Sequence, residues 1–105
     1  MAAEAAVAAI KLTELKSIVD TLFDHAIEKS GDGVLTISSE RDYYWCVPTR
    51  ELFAMDHQPS QLEVGRLSDD WGFLQPLLVD KQQVFSLMFI HIAPLLQYLA
   101  AKSGD

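Results

Sequence analysis

Apolar residues near the end of the chain leave almost no polar face. The run Val84–Ala100 reads VFSLMFIHIAPLLQYLA, and only Ser86, His91, Pro94 and Gln97 interrupt it. A surface helix of a small domain keeps a wide polar face, so a helix this apolar must be covered on several sides by its own fold or by another chain. We therefore expect a partner, most simply a second copy.

A first helix is predicted near the start of the chain. Apolar residues recur every three or four positions there, which is the period of a helix with one buried face, so we place this helix at roughly residues 10–29. Gly31 suits the left-handed position after a helix, and Asp32 and Gly33 form a turn pair.

The middle of the chain is rich in residues that favour strands. Val34–Ser38 and Tyr43–Val47 are separated by the polar segment Ser39–Asp42, which predicts a hairpin. A short helical turn is expected after Thr49. The weaker alternation of Leu62–Leu67 predicts a third strand at the edge of the sheet.

Two more helices are predicted after the strands. Ser68 is the expected N-cap of the first, with Asp69 and Asp70 in its first turn, where carboxylates are favoured. Its expected buried face is made of Trp71, Leu74, Leu77 and Leu78. The second helix carries the apolar run. The predicted fold is α+β, with helices packed on a small three-stranded, mainly antiparallel sheet in the order α-β-β-(short α)-β-α-α.

Length and composition favour one folded domain over residues 1–105, with residues 1–9 as a frayed or helical extension and 101–105 as a tail. Half of the residues are hydrophobic, which argues against disorder. The lone Cys46 cannot form an internal disulfide, so we expect a cytoplasmic protein. The apolar run is shorter than the roughly 20 residues of a membrane span, and no membrane association is expected.

Charge argues against nucleic acid as a partner. The formal net charge is −7, with eight basic and fifteen acidic residues, whereas phosphate binding requires clustered Lys and Arg. A basic protein partner is compatible with this charge. Asp20, Asp24 and Glu28 recur every four residues on the first helix, so they form one acidic stripe.

No catalytic or metal-binding signature is present. His25, His57 and His91 lack the i, i+4 spacing of a helical metal site, and a buried histidine is the simpler reading of His91. The residues around Cys46 include no feature that would lower the pKa of its thiol. We therefore expect no enzymatic activity, no cofactor and no metal.

The interface candidates lie on the last helix. Ser86, Ala93 and Ala100 are seven residues apart, so another helix could approach closely along them, although a thin solvent-exposed stripe explains them equally well. The candidates for this interface are Ser86, Phe89, His91, Ala93, Gln97 and Ala100. A buried His91 at this seam would make association depend on pH.

Tyr44 and Trp45 add aromatic candidates for contact with a partner, and periodicity does not decide which face of their strand is exposed. With the acidic stripe Asp20, Asp24 and Glu28, they complete the partner-binding candidates. The leading hypothesis is a non-catalytic cytoplasmic interaction module that homodimerises through its apolar C-terminal helix. One alternative is an acidic, immunity-like protein that neutralises a basic partner. Another is a small-ligand or enzymatic domain with an aromatic pocket near Tyr44, Trp45 and His57.

Overall fold

The computed structural model describes residues 7–84 and 86–103. Expectations that concern residues 1–6, Phe85 and residues 104–105 lie outside this range. The chain forms two compact units, Met1–Leu35 and Thr36–Asp105, and each is described by itself.

The first unit contains helix α1 (Leu12–Ser30), which confirms the helix predicted from the apolar period. It ends as expected, because Gly31 has a φ of 81°, a conformation that favours glycine. The hydroxyl of Ser30 then donates to the Ile27 carbonyl and accepts from the Gly33 amide, both at 2.8 Å. No α1 side chain is buried.

The second unit is a mixture of helices and short strands, and the chain as a whole belongs to the predicted α+β class. Its regular elements are β1 (Tyr43–Cys46), α2 (Thr49–Leu52), β2 (Glu63–Arg66), α3 (Leu67–Leu74) and α4 (Leu87–Ser103), with 3-10 turns at Ser39–Arg41, Gln75–Leu78 and Lys81–Gln83. None of the helices formed by the described residues has the length and apolar character that crossing a bilayer requires.

The three-stranded sheet predicted from sequence is wrong, because the described residues form two strands. β1 and β2 are antiparallel, with Tyr44 opposite Gly65 and Trp45 opposite Val64. Val34–Ser38 is not a strand. Its β-prone side chains do not suffice, since strand preference mainly reports how well side chains pack on a sheet.

The predicted hairpin between the first two runs is also absent. Ser39–Arg41 forms a 3-10 turn in place of a hairpin loop, and it begins with a bond from the Arg41 amide to the Ser38 carbonyl. The carbonyl of Thr36 accepts hydrogen bonds from Tyr98 and Lys102 of α4. These side chains bind Thr36 where a strand would have presented its carbonyl to a neighbouring strand.

A buried carboxylate connects the start of β1 with the start of α3. Asp42, only 7 % exposed, accepts from the Ser68 amide at 2.7 Å, the Ser68 hydroxyl at 2.6 Å and the Arg66 guanidinium at 2.9 Å. Its carbonyl accepts from the Leu67 amide. The expectation that Ser68 is the N-cap of α3 is therefore wrong, because Arg66 occupies that position. The Ser68 amide in the first turn has no partner within the helix, and the Asp42 carboxylate, far away in sequence, accepts its hydrogen bond.

The buried apolar core is small and lies where α3 packs against α4. Its members among the described residues are Leu67, Leu74 and Met88. Of the buried face predicted for this helix, Leu74 is buried as expected and Leu77 is half-buried, whereas Trp71 and Leu78 are exposed. Leu67 and Asp70, which were not predicted, are buried instead.

Gly65 is required by close packing within the sheet. A Cβ placed on Gly65 would overlap the ring of Tyr44, the residue opposite it. A Cβ placed on Gly72, in the middle of α3, would meet no atom within 4 Å. A larger residue is therefore excluded at position 65 by the Tyr44 ring, whereas position 72 has room for a side chain.

We expect Gly65→Ala and Gly72→Ala to change stability in opposite directions. Gly65→Ala forces Tyr44 to move and should lower the free energy of unfolding by about 1–3 kcal/mol. Gly72→Ala reduces the entropy of the unfolded chain and improves helix propensity, so it should raise that free energy by about 0.5–1 kcal/mol. Urea unfolding followed by circular dichroism measures both; equal effects of the two substitutions would contradict the packing described here.

We expect the link through Asp42 to weaken in acid. The hydrogen bonds from Ser68 and Arg66 hold the pKa of Asp42 below its ordinary value of 3.8. The stabilisation is therefore complete above the pKa of the unfolded state and is lost as pH falls through the lower folded value. Unfolding of the parent and of Asp42→Asn, measured between pH 7 and about pH 2, should show a smaller loss of stability for the variant over the acid range.

Candidate functional site

A buried carboxylate joins three elements of the second unit. Asp70 of α3 is 5 % exposed. The Tyr44 hydroxyl of β1 donates to its Oδ2 at 2.6 Å, and Nδ1 of His91, from α4, lies 2.7 Å from its Oδ1. Both carboxylate oxygens are therefore occupied, as a buried polar group requires.

The ring of His91 is also held by an aromatic contact. It stacks on Phe73 of α3 with the ring centroids 4.5 Å apart and the planes 14° from parallel. Since Asp70 and Phe73 are on the same helix, α3 fixes both the direction and the plane of the imidazole. His91 is half-buried, with 23 % of its side chain exposed, so the expected burial is partial, while the expected hydrogen bond is made to Asp70.

The environment disfavours the nucleophiles that lie near this carboxylate. Burial raises the pKa of the Tyr44 hydroxyl, and the bond to Asp70 raises it further. Burial also raises the pKa of the Cys46 thiol, with smaller contributions from Glu63 and Asp70. Both groups therefore stay protonated at neutral pH, whereas a catalytic thiol needs a lowered pKa.

An open groove of about 400 Å³ lies between β1 and the C-terminal half of α4. We call it the β1–α4 groove. It is lined by Glu40, Arg41, Tyr43, Tyr44, Trp45, Leu67, Pro94, Gln97, Tyr98, Ala101 and Lys102. Tyr44 thus lines the groove and also donates its hydroxyl to Asp70, so the groove and the network share this residue.

The structure separates the six interface candidates into two groups, and places five of them on α4 and Ser86 one residue before it. Ser86, Phe89, Ala93, Gln97 and Ala100 are all exposed, and Phe89 reaches 74 %. The remaining candidate, His91, points to α3 and contacts Asp70 and Phe73. His91 is therefore directed to α3, and any effect of this residue on an interface would be conveyed by a change in the position of α3.

The partner-binding candidates occupy separate places in the two units. On α1, Asp20, Asp24 and Glu28 are exposed, and Asp20 forms an ion pair with Lys16 at 3.1 Å. This pair offsets part of the charge of the acidic stripe. In the second unit, Trp45 is 73 % exposed on the outer face of β1, whereas Tyr44 is half-buried on the opposite face.

The structure decides the face of β1 that periodicity left open. Tyr43 and Trp45 are on the exposed side, where Arg66 lies 5.3 Å from the centre of the Tyr43 ring. His57 does not line the β1–α4 groove and instead contacts Asp56 at 3.0 Å. The aromatic pocket expected near Tyr44, Trp45 and His57 therefore contains the first two residues without the third.

Sequence reasoning identified Asp70 only as a first-turn carboxylate and missed its role as the centre of a network. Its spacing held a usable signal, because Leu67, Asp70 and Leu74 recur at the three- and four-residue period of one buried face. A polar residue on such a face must find hydrogen-bond partners. Asp42, predicted as part of a hairpin loop, carried no comparable signal.

Comparison with known proteins gives no indication of the function of this chain. A scan against protein-family models found no match, and neither did searches of the curated proteins and of the solved structures. Within the described part of the chain, no group of three or more His, Cys, Asp or Glu side chains is arranged to hold a metal ion.

We expect the Asp70 network to contribute substantially to stability. Asp70→Ala leaves the half-buried Tyr44 and His91 without their common hydrogen-bond partner, at a cost of up to about 1–3 kcal/mol for each group left unsatisfied. Asp69→Ala is the matched control, because Asp69 is exposed and surface changes usually stay within about 0.5 kcal/mol. Urea unfolding should show a large loss for Asp70→Ala only; similar stabilities of the two variants would contradict this role.

Proposed function

We propose that this protein is a non-catalytic interaction module that forms a homodimer through α4 and acts in the cytoplasm. The observation that carries the proposal is an exposed apolar stripe along α4. Phe89, Ile92 and Leu96 are 74 %, 37 % and 36 % exposed. They recur at intervals of three and four residues, so they lie on one side of the helix.

Small residues beside this stripe favour a helix as the partner. Ala93 and Ala100 are exposed on the same side of α4, and short side chains allow a second helix backbone to approach closely. A twofold axis across the stripe would place α4 against α4 of a second copy. The same surface would then be used by both chains, which is the commonest arrangement in homo-oligomers.

Burial of the stripe provides the driving force for association. Phe89 is the largest contributor, because aromatic side chains dominate interface energies when they are withdrawn from water. Its high exposure in the single chain means that most of its surface remains to be buried. The lone Cys46, which forms no disulfide within the chain, is compatible with a reducing cytoplasm.

We expect Phe89→Glu to convert the dimer into a monomer. Loss of a central aromatic contact costs about 2 kcal/mol or more, which corresponds to a roughly 30-fold weaker dissociation constant. Light scattering behind a sizing column, at tens of micromolar, measures the mass. The matched control is Val79→Glu, which introduces the same charge at a residue 92 % exposed outside α4 and should leave the dimer intact.

Two results would overturn the proposed dimer. The parent protein could elute with the mass of one chain at this concentration. Alternatively, Phe89→Glu and Val79→Glu could both retain the mass of a dimer, which would place the interface elsewhere on the chain.

A further inference from the structure

The β1–α4 groove runs along an open edge of the sheet. It is lined by Tyr43, Tyr44 and Trp45, whose side chains alternate between the two faces of β1. No β2 residue lines it. The Leu67 amide bonds to the Asp42 carbonyl, and this pair continues the register of β1 and β2. In the alternating antiparallel pattern, Tyr43 and Trp45 therefore direct their main-chain groups away from β2, to an edge that no other described strand covers.

This edge can bind a further strand through its main chain. Alternate residues of a strand direct both their N–H and C=O groups to the same side, so part of β1 presents free donors and acceptors to the groove. An extended peptide uses such groups when it adds a strand to a sheet. The neighbouring α4 wall, which includes Pro94 and Tyr98, provides an apolar surface for its side chains.

The charges in the groove select the chemistry of the peptide. Arg41 and Lys102 line it together with one carboxylate, that of Glu40, so positive charge is in excess in a chain whose net charge is −7. Lys102 is held in place by its bond to the Thr36 carbonyl at 2.6 Å. Two cations that line the same groove favour an occupant that carries carboxylates.

We propose that the β1–α4 groove binds an extended acidic segment of a partner protein, which adds a strand to the open edge of β1 and places its carboxylates near Arg41 and Lys102. This site goes beyond the proposed homodimer, because the stripe that contains Phe89 is not part of the groove lining.

Randomised hexapeptides displayed on phage are the probe for this site. We expect selection on the parent protein to enrich sequences that contain Asp or Glu and that lack proline, which cannot donate a backbone bond. The most enriched peptide, made synthetically with a fluorescent label, should bind saturably. Recovery of no saturable binder, or enrichment of peptides without acidic residues, would overturn the proposal.

Changes in the peptide test strand addition without altering the protein. N-methylation removes one backbone donor at a time, and we expect it to weaken binding at alternate peptide positions only. Exchange of each Glu or Asp for Gln or Asn should also weaken binding. Affinities that are insensitive to N-methylation would indicate recognition of side chains alone and would overturn the strand model.

Changes in the protein locate the site. Arg41→Glu and Lys102→Glu should each weaken binding at least about fivefold, since each replaces an attraction by a repulsion. Lys81→Glu makes the same charge change outside the groove lining and should have no effect, and Arg41→Gln provides a milder second variant. Equal affinities of all these variants would overturn the location.

Two further measurements show whether peptide binding is independent of the homodimer and whether the occupant of the groove is a second copy of the chain. Phe89→Glu should bind the peptide with unchanged affinity even if it is monomeric, so failure of the dimer leaves this proposal intact. Arg41→Glu should leave the mass of the protein unchanged. A loss of dimer mass in Arg41→Glu would identify a second copy as the occupant and overturn the assignment to a partner protein.

Discussion

The buried carboxylate of Asp70 is the constraint on which the arrangement of the second unit depends. A carboxylate this far from water is costly unless hydrogen-bond donors surround it, and here they come from Tyr44 of β1 and His91 of α4. The strand, the helix that carries Asp70 and the last helix must therefore be in place together. Asp42 adds a second polar connection, between the start of β1 and the start of α3.

These polar connections matter because the apolar core is small. Leu67, Leu74 and Met88 are the buried hydrophobic residues of the described chain, and a core of this size contributes limited stability. Directed hydrogen bonds from Asp42 and Asp70 define how α3, α4 and the sheet meet. Gly65 completes this arrangement, since only a residue without a Cβ admits the Tyr44 ring that reaches Asp70.

Helix α4 connects the structural and functional arguments. One side holds Met88 and His91 against α3, a second side lines the β1–α4 groove with Pro94 and Tyr98, and a third exposes the stripe that contains Phe89. Two of these sides face other elements of the second unit and the third exposes apolar side chains, so α4 has few polar positions. Its composition is therefore compatible with both the homodimer and the peptide site that we propose.

The sequence by itself determined the elements whose formation depends on local pattern. The apolar period and Gly31 predicted α1, and two of the β-prone runs contained β1 and β2. Propensity and periodicity act between near neighbours, so these features are legible along the chain.

Only the tertiary structure decided which strands pair, which face of β1 is exposed and which partners the buried carboxylates find. Val34–Ser38 has the residues of a strand but no strand partner, and Asp42 and Asp70 bond to groups more than twenty residues away. Such contacts depend on how distant segments meet in three dimensions. The local sequence pattern does not predict these contacts, because the same polar side chain suits a loop, a helix cap or a buried hydrogen-bond network. Which of these forms depends on the distant residues that pack around it.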